Sequence, residues 1–261
     1  MLEVNNLGIE FGGVRALDAV SFKSARGKIL SVIGPNGAGK TTLFNLISGV
    51  YRPKAGTVML GGDDVTGLAP HELARRGLSR TFQNLQIFFQ MTAVENVMVG
   101  HHVHERRSVM AHLLGLPSVS RQNTATRERA MILLEHIGLG RYADQPAGSM
   151  PYGALKRLEI ARALAVDPSV LLLDEPAAGC NPRETEEIDE IIQYIAGTGV
   201  SVILVEHDIR LVMKISDRIV VLNYGRKLSE GCAVEVQSDP AVIEAYLGTE
   251  QTQGELSAVG A

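Results

Sequence analysis

The sequence predicts an α/β fold: a parallel β-sheet covered by helices, with a β-rich N-terminal portion and a mostly helical lobe inserted into it. Three observations carry this expectation. Near-continuous apolar runs at 28–33, 170–173 and 200–205 have the character of strands covered on both faces. Between the last two, Ile188, Ile191, Ile192 and Ile195 recur at helical spacing, and strand, helix, strand implies parallel pairing with right-handed crossovers. Residues from about 84 to 162 are instead dominated by helix formers.

In chain order, Leu2-Glu3-Val4 and Val20-Ser21-Phe22 read as short strands. The run 28–33 reads as a buried strand. It leads through a Gly-rich stretch into Leu43-Phe44-Asn45-Leu46-Ile47, which reads as a helix. Within the helical lobe, 127–137 and 152–165 are the clearest helices. Residues 217–230 return to strand character around a Tyr224-Gly225 turn. From about residue 250 the chain is small and polar and is expected to fray.

Bulk properties narrow the function classes. The 261 residues carry a formal charge of −4, without the basic surplus of a nucleic-acid binder. Cys180 and Cys232 are the two cysteines, too few for a disulfide framework or a zinc site, and an intracellular, reduced setting is expected. The N-terminus lacks a signal-peptide pattern. No apolar run approaches the roughly 20 residues that cross a bilayer, so a membrane role is expected to go through a partner.

The chemistry concentrates in Gly34-Pro35-Asn36-Gly37-Ala38-Gly39-Lys40-Thr41-Thr42, which fits the phosphate-binding pattern G-x-x-x-x-G-K-[ST] between a strand and a helix. Its glycines let the backbone curl around a polyphosphate, and the helix N-terminus adds positive charge. Lys40 can reach the β- and γ-phosphates, and the Thr41 hydroxyl can hold Mg²⁺. Leu171-Leu172-Leu173-Asp174-Glu175 is an apolar strand ending in two carboxylates. Asp174 is expected beside the phosphate loop, holding Mg²⁺ through water. Glu175 is placed to polarise a water for attack on the γ-phosphate. His207, after the next strand in Glu206-His207-Asp208, can contact the γ-phosphate and that water.

Phe11, the 34–42 loop, Gln83, Tyr152-Gly153, Asp174-Glu175 and His207 follow one another in an order and spacing that resembles an ATP-binding-cassette (ABC) ATPase. The resemblance covers nearly the whole chain, up to about Gly248. It implies a P-loop NTPase (RecA-like) core with a parallel sheet, an N-terminal antiparallel β portion and an inserted helical lobe. These would form a single domain over 1–249, with 1–83 and 163–249 as the core lobe, 84–162 as the helical lobe, and 250–261 as a flexible tail. It further implies ATP and Mg²⁺ as ligands, Phe11 stacking on adenine, and Gln83 meeting metal and water. Met150-Pro151-Tyr152-Gly153-Ala154 stands at the family's signature loop, and 177–182 at the loop that crosses to a partner subunit. The segments Phe11-Gly12-Gly13, 80–83, 91–96, 174–179, Glu206-His207-Asp208 and Ala245-Tyr246-Leu247-Gly248, with an extra helical segment from about 101 to 123, are similar to the LivG-type ATPase of branched-chain amino-acid importers. That likeness implies a second ATPase subunit, two permease subunits, an external solute-binding protein, no nucleic acid, and a peripheral place on the cytoplasmic face of the inner membrane.

The chain departs from the pattern at the signature, with Pro151 for a serine and Ala154 for a glutamine. Proline has no hydroxyl and no N–H to give a γ-phosphate. Since the resemblance implies that the signature of one subunit closes on ATP held by the other, an asymmetric pair is expected, with an intact site on this chain and a weaker one on the partner. Leu85, Ile87, Phe88 and Phe89 form either a groove for a permease coupling helix or part of the helical lobe's own core. His101, His102, His104 and His112 near Arg106 and Arg107 read as a solvated face rather than a metal site. Cys180 reads as a small buried residue. Arg75, Arg76 and Arg80 read as an ordinary charged face. The competing functions are a lipid or lipopolysaccharide exporter ATPase, a soluble ABC ATPase acting on ribosomes or DNA, and a non-hydrolysing clamp.

Overall fold

The computed structural model describes residues 1–104 and 117–246, with the side chains at 104 and 117–121 excepted. Most of the expected extra segment after His101, and the tail from residue 250, therefore lie outside the described residues.

The N-terminal sheet is antiparallel, in the order β2 (Val14–Ser24), β1 (Leu2–Phe11), β4 (Ala55–Leu60), β5 (Asp63–Asp64). Its first two strands are 10 and 11 residues long, far beyond the alternating triplets at 2–4 and 20–22 that signalled them. Register shifts near Leu7 and Ile9 break the alternation, which is why the pattern was short.

The second sheet has the order β10 (Arg226–Gly231), β9 (Arg218–Asn223), β3 (Ile29–Ile33), β8 (Ser201–Val205), β7 (Val170–Asp174), β6 (Leu78–Arg80). All its pairs are parallel except β9 with β10. Strands β3, β7 and β8 are buried along their whole length. Successive side chains of a strand point to opposite faces. Thus Leu171, Leu173, Val202 and Leu204 join the core shared with the helices, while Val170, Leu172, Ile203 and Val205 join the core under the antiparallel sheet. This double coverage is the reason those strands read as continuous apolar runs.

The first core contains α3 (Ala93–His101), α4 (Pro117–His136), α5 (Tyr152–Leu164) and α6 (Pro182–Gly197), through residues such as Val94, Val97, Leu134, Leu158 and Ile192. The periodic Ile188, Ile191, Ile192 and Ile195 are the buried stripe of α6. The second encloses α1 (Lys40–Ile47), which follows the phosphate loop, and Leu73 of α2 (Pro70–Arg75). A third, smaller cluster joins Val212 of α7 (Ile209–Ile215) to Val236 of α8 (Ala233–Ser238) and strand β9.

Candidate functional site

The phosphate loop forms because β3 must turn sharply into α1. At Gly34, φ is +152°, and a Cβ would lie 2.1 Å from the Leu222 carbonyl oxygen. At Gly39, the residue before α1, φ is +103° and a Cβ would crowd Leu17 and Ala16. Only glycine fits these positions. No side chain caps α1, so its first N–H groups are left for a ligand. By contrast, Thr92, Asn181 and Asp208 cap α3, α6 and α7 with their own oxygens.

Lys40 is buried and donates from Nζ to the carbonyls of Gly34 (2.7 Å) and Pro35 (2.9 Å). Burial lowers its pKa, opposed by the charges of Glu175 and Asp174. The ammonium thus lies inside the curl of the loop, within the field of both strand-end carboxylates.

Those carboxylates part company at one residue. Glu175 has φ +50°, a left-handed conformation that side-chain-bearing residues seldom adopt. The turn sends its side chain into the cleft while Asp174 stays buried behind it. Gln83 Nε2 donates to Glu175 Oε2 at 3.1 Å, and His207 Nε2 lies 2.6 Å from Oε1. Asp174 Oδ2 instead accepts from Arg80 at 2.7 Å, with both side chains buried. This corrects the reading of Arg80 as part of a charged face: its guanidinium is an interior group. Arg75 and Arg76, by contrast, are exposed.

A cleft of about 540 Å³ is lined by Asn36, Gly37, Ala38, Gly39, Lys40, Thr41, Thr42, Gln83, Glu175 and His207. Val14, Arg15 and Ala16 of β2 and the Tyr224-Gly225 turn complete its lining. That second group was not foreseen as part of the site. Its sequence signal was the Tyr224-Gly225 turn, whose tertiary role only the fold reveals: Gly225 N–H donates to the Ala38 carbonyl (3.0 Å), and Asp18 N–H donates to the Gly225 carbonyl (2.8 Å). From behind, Tyr246 hydrogen-bonds with the Gly34 backbone, and burial pushes its phenol up to about 12.

Other expected residues lie apart from this cleft. Phe11 is half exposed at the end of β1, edge-on to Tyr51 with ring centroids 5.4 Å apart. Tyr152 and Gly153 begin α5 on the helical side. The Tyr152 hydroxyl donates to the Ala178 carbonyl (3.2 Å), and a Cβ on Gly153 would meet Glu184 at 2.5 Å. Pro151 precedes α5 without a side-chain cap. The apolar stretch divides: Ile87 is buried and Leu85 packs inward, whereas Phe88 and Phe89 are about half exposed. Cys180 is half-buried, and burial raises its thiol. His101 is buried and His102 exposed; the side chains of His104 and His112 lie outside the described residues. Among the described residues no cluster of histidine, cysteine or acidic side chains is placed to hold a metal by itself.

The donors near the loop are the Thr41 hydroxyl, the Gln83 carboxamide and the Asp174 carboxylate. Such hard oxygens, few in number, suit Mg²⁺ shared with phosphate and water rather than a cation caged by protein alone.

Comparison with known proteins bears on the same regions. Residues 17–178 match the family model described as ABC transporter, and residues 226–252 match that described as branched-chain amino acid ATP-binding cassette transporter. The high-affinity branched-chain amino acid transport ATP-binding protein BraF of Pseudomonas aeruginosa is 44% identical over 95% of this chain and 98% of its own length. LivG of Escherichia coli, of the same description, is 43% identical with the same coverage. An ATP-binding cassette of an ABC transporter, solved in its ADP conformation, superposes with a TM-score of 0.82 at 32% identity over 95% of this chain and 98% of that one.

Proposed function

The chain belongs to the ABC transporter ATP-binding family, and from that premise we propose that it is the ATP-hydrolysing subunit powering a branched-chain amino-acid importer. One observation carries the catalytic half: Glu175 is held between Gln83 and His207 on a cleft whose other contributors are the phosphate loop and Lys40. The match at 226–252 and relatives 43–44% identical over 95% of the chain support the substrate.

ATP binds with its phosphates against the N–H groups of Gly37, Ala38, Gly39, Lys40, Thr41 and Thr42 at the start of α1. Lys40 leaves the carbonyls of Gly34 and Pro35 for the β- and γ-phosphates. Asn36 lies at the tip of the same loop. Phe11 supplies an aromatic face toward the base. Thr41, Gln83 and Asp174 would hold Mg²⁺, Asp174 through water. When bound, the ion neutralises charge developing on the phosphoryl oxygens. Glu175 orients the attacking water and accepts its proton, His207 steadies Glu175 and the γ-phosphate, and Gln83 links both to the helical lobe. Catalysis is chiefly positioning and charge stabilisation.

We read 1–249 as one cassette domain, with 84–162 as its helical lobe; the shared core of α3, α4 and α5 supports this. The 250–261 segment would be a tail. Tyr152 and Gly153 serve the nucleotide of a second ATPase subunit, and Phe88 and Phe89 face a permease. Two permeases and an external solute-binding protein complete the assembly, in which this chain lies peripherally on the cytoplasmic face of the inner membrane. No helix among the described residues is long and apolar enough to cross it. With Pro151 at the start of α5, the partner's ATP receives N–H groups but no hydroxyl.

The test is phosphate release from the complex reconstituted with its permeases and binding protein. Leucine, isoleucine or valine should stimulate release, and Glu175→Gln should slow it by about 10²–10⁴-fold while ATP is retained. Stimulation only by another substrate class would overturn the importer assignment. Release undiminished by Glu175→Gln would overturn the mechanism.

A further inference from the structure

We propose that Arg80 is a positioning residue that fixes the Asp174 carboxylate relative to the phosphate-loop helix and thereby sets the site's affinity for a divalent cation. This rests on the reading of Asp174 as the metal-side carboxylate. Arg80 ends β6, whose partner β7 ends in Asp174. Its guanidinium spans three acceptors on two elements. One terminal nitrogen donates to Asn45 Oδ1 (2.7 Å) and Ser48 Oγ (2.8 Å), in and just after α1; the other donates to Asp174 Oδ2 (2.7 Å). Phe44 and Phe82 flank the group, their ring centroids 5.5 and 5.0 Å from its central carbon. Only 6% of the Arg80 side chain and 3% of the Asp174 side chain are exposed.

Each part of this arrangement has a consequence. The planar fork holds both acceptor groups at once, which a lysine ammonium on one flexible stem does not reproduce. The aromatic faces hold the fork in plane and keep water away. The cation also lies by the C-terminal end of α1, where the helix dipole favours it. Thr41 is on the first turn of that helix and Asp174 at the end of the neighbouring strand. Arg80 therefore ties two of the three oxygen donors of the metal site, Thr41 and Asp174, into one rigid unit, and is not among the residues lining the cleft. Partners that orient a metal ligand typically change metal affinity by about 10–100-fold when altered.

The experiment uses Arg80→Lys in the full chain, which keeps the charge and removes the fork. Mn²⁺ binding to the ADP-loaded protein is followed by electron paramagnetic resonance. ADP binding in chelator and thermal unfolding are measured alongside. The expected result is a rise of about 10–100-fold in the Mn²⁺ midpoint, with metal-free ADP affinity unchanged. An unmoved midpoint overturns the proposal, as does a parallel loss of metal-free ADP binding, which marks a merely structural role. Should Arg80→Lys fail to fold, the double variant Asn45→Ala, Ser48→Ala releases one arm of the fork while leaving the Arg80–Asp174 pair. A midpoint shifted the same way then supports the proposal, and no shift sinks it. Asp174→Asn separates the two layers of inference. If it leaves the midpoint unmoved, the reading of Asp174 fails and the proposal with it. If it shifts the midpoint and Arg80→Lys does not, only the Arg80 proposal falls.

Discussion

Helices α1 and α5 both begin without a side-chain cap, yet their starts differ in kind. Before α1, glycines with positive φ curl the chain around Lys40, and a cleft opens over the first turn. Before α5, Pro151 stands extended, and the first turn leans on its own chain through Tyr152 to Ala178 and Gly153 to Glu184. An uncapped helix start is thus a necessary but not sufficient device for holding phosphate. The first site is furnished from within the chain, and the second has an anion-facing end only if another subunit brings the anion. Glu175 lies between them. Its carboxylate faces the cleft beside α1, while its carbonyl accepts from Lys156 of α5 at 3.4 Å.

The contrast can be broken most forcefully at that residue. Glu175→Gln is expected to slow ATP turnover by about 10²–10⁴-fold, the usual worth of a positioned base, with ATP binding retained in a filter-binding assay. Loss of binding as well would mean the carboxylate builds the site rather than serving its chemistry. Next comes Lys40→Ala, which removes charge-assisted bonds worth about 1.5–3 kcal/mol. Calorimetry should show ATP affinity falling roughly 10–100-fold, and unaltered affinity would remove the α1 end from the account.

Pro151→Ser tests the other end. A hydroxyl there adds one bond to a charged group, about 1.5 kcal/mol, or roughly tenfold in turnover where that step limits. The gain is expected only in the assembled complex; the same gain in isolated monomer would contradict the two-subunit reading.

The smallest effect concerns the link between the two ends. Glu206 accepts from the Ala177 and His207 N–H groups (2.9 and 3.1 Å). Burial raises its carboxyl above the ordinary 4.5. With the folded value above the unfolded one, the stability of the protonated form is present in full below the unfolded value. It is lost as pH rises through the folded value. Glutamine does not titrate. The melting temperature of Glu206→Gln relative to the parent should therefore become more favourable from about pH 4 to about pH 7. A constant difference across that range would show that the carboxyl is not raised.

Much of this architecture was legible in sequence where the chemistry is contiguous. Residues 34–42 carry their loop geometry in their own glycines, and Asp174, Glu175 and His207 are announced by the apolar strands they terminate. What depends on long-range pairing was not legible. Arg80 looked like a surface charge because its acceptors, Asn45, Ser48 and Asp174, come together only through α1 and the β6–β7 pair. Arg15 and Tyr224 reach one cleft from opposite ends of the chain. The apolar stretch at 85–89 could not be apportioned because neighbours in sequence face opposite ways: Ile87 inward, Phe88 and Phe89 outward.

The turn at Tyr224-Gly225 has a consequence for truncation and fusion. Gly225 grips Ala38 from one side, and Tyr246 braces Gly34 from the other. The nucleotide end is therefore buttressed by residues far downstream in the chain. Shortening the chain beyond Asn223 would slacken a loop nearly two hundred positions upstream, and a ribosome must finish both buttresses before that loop can set.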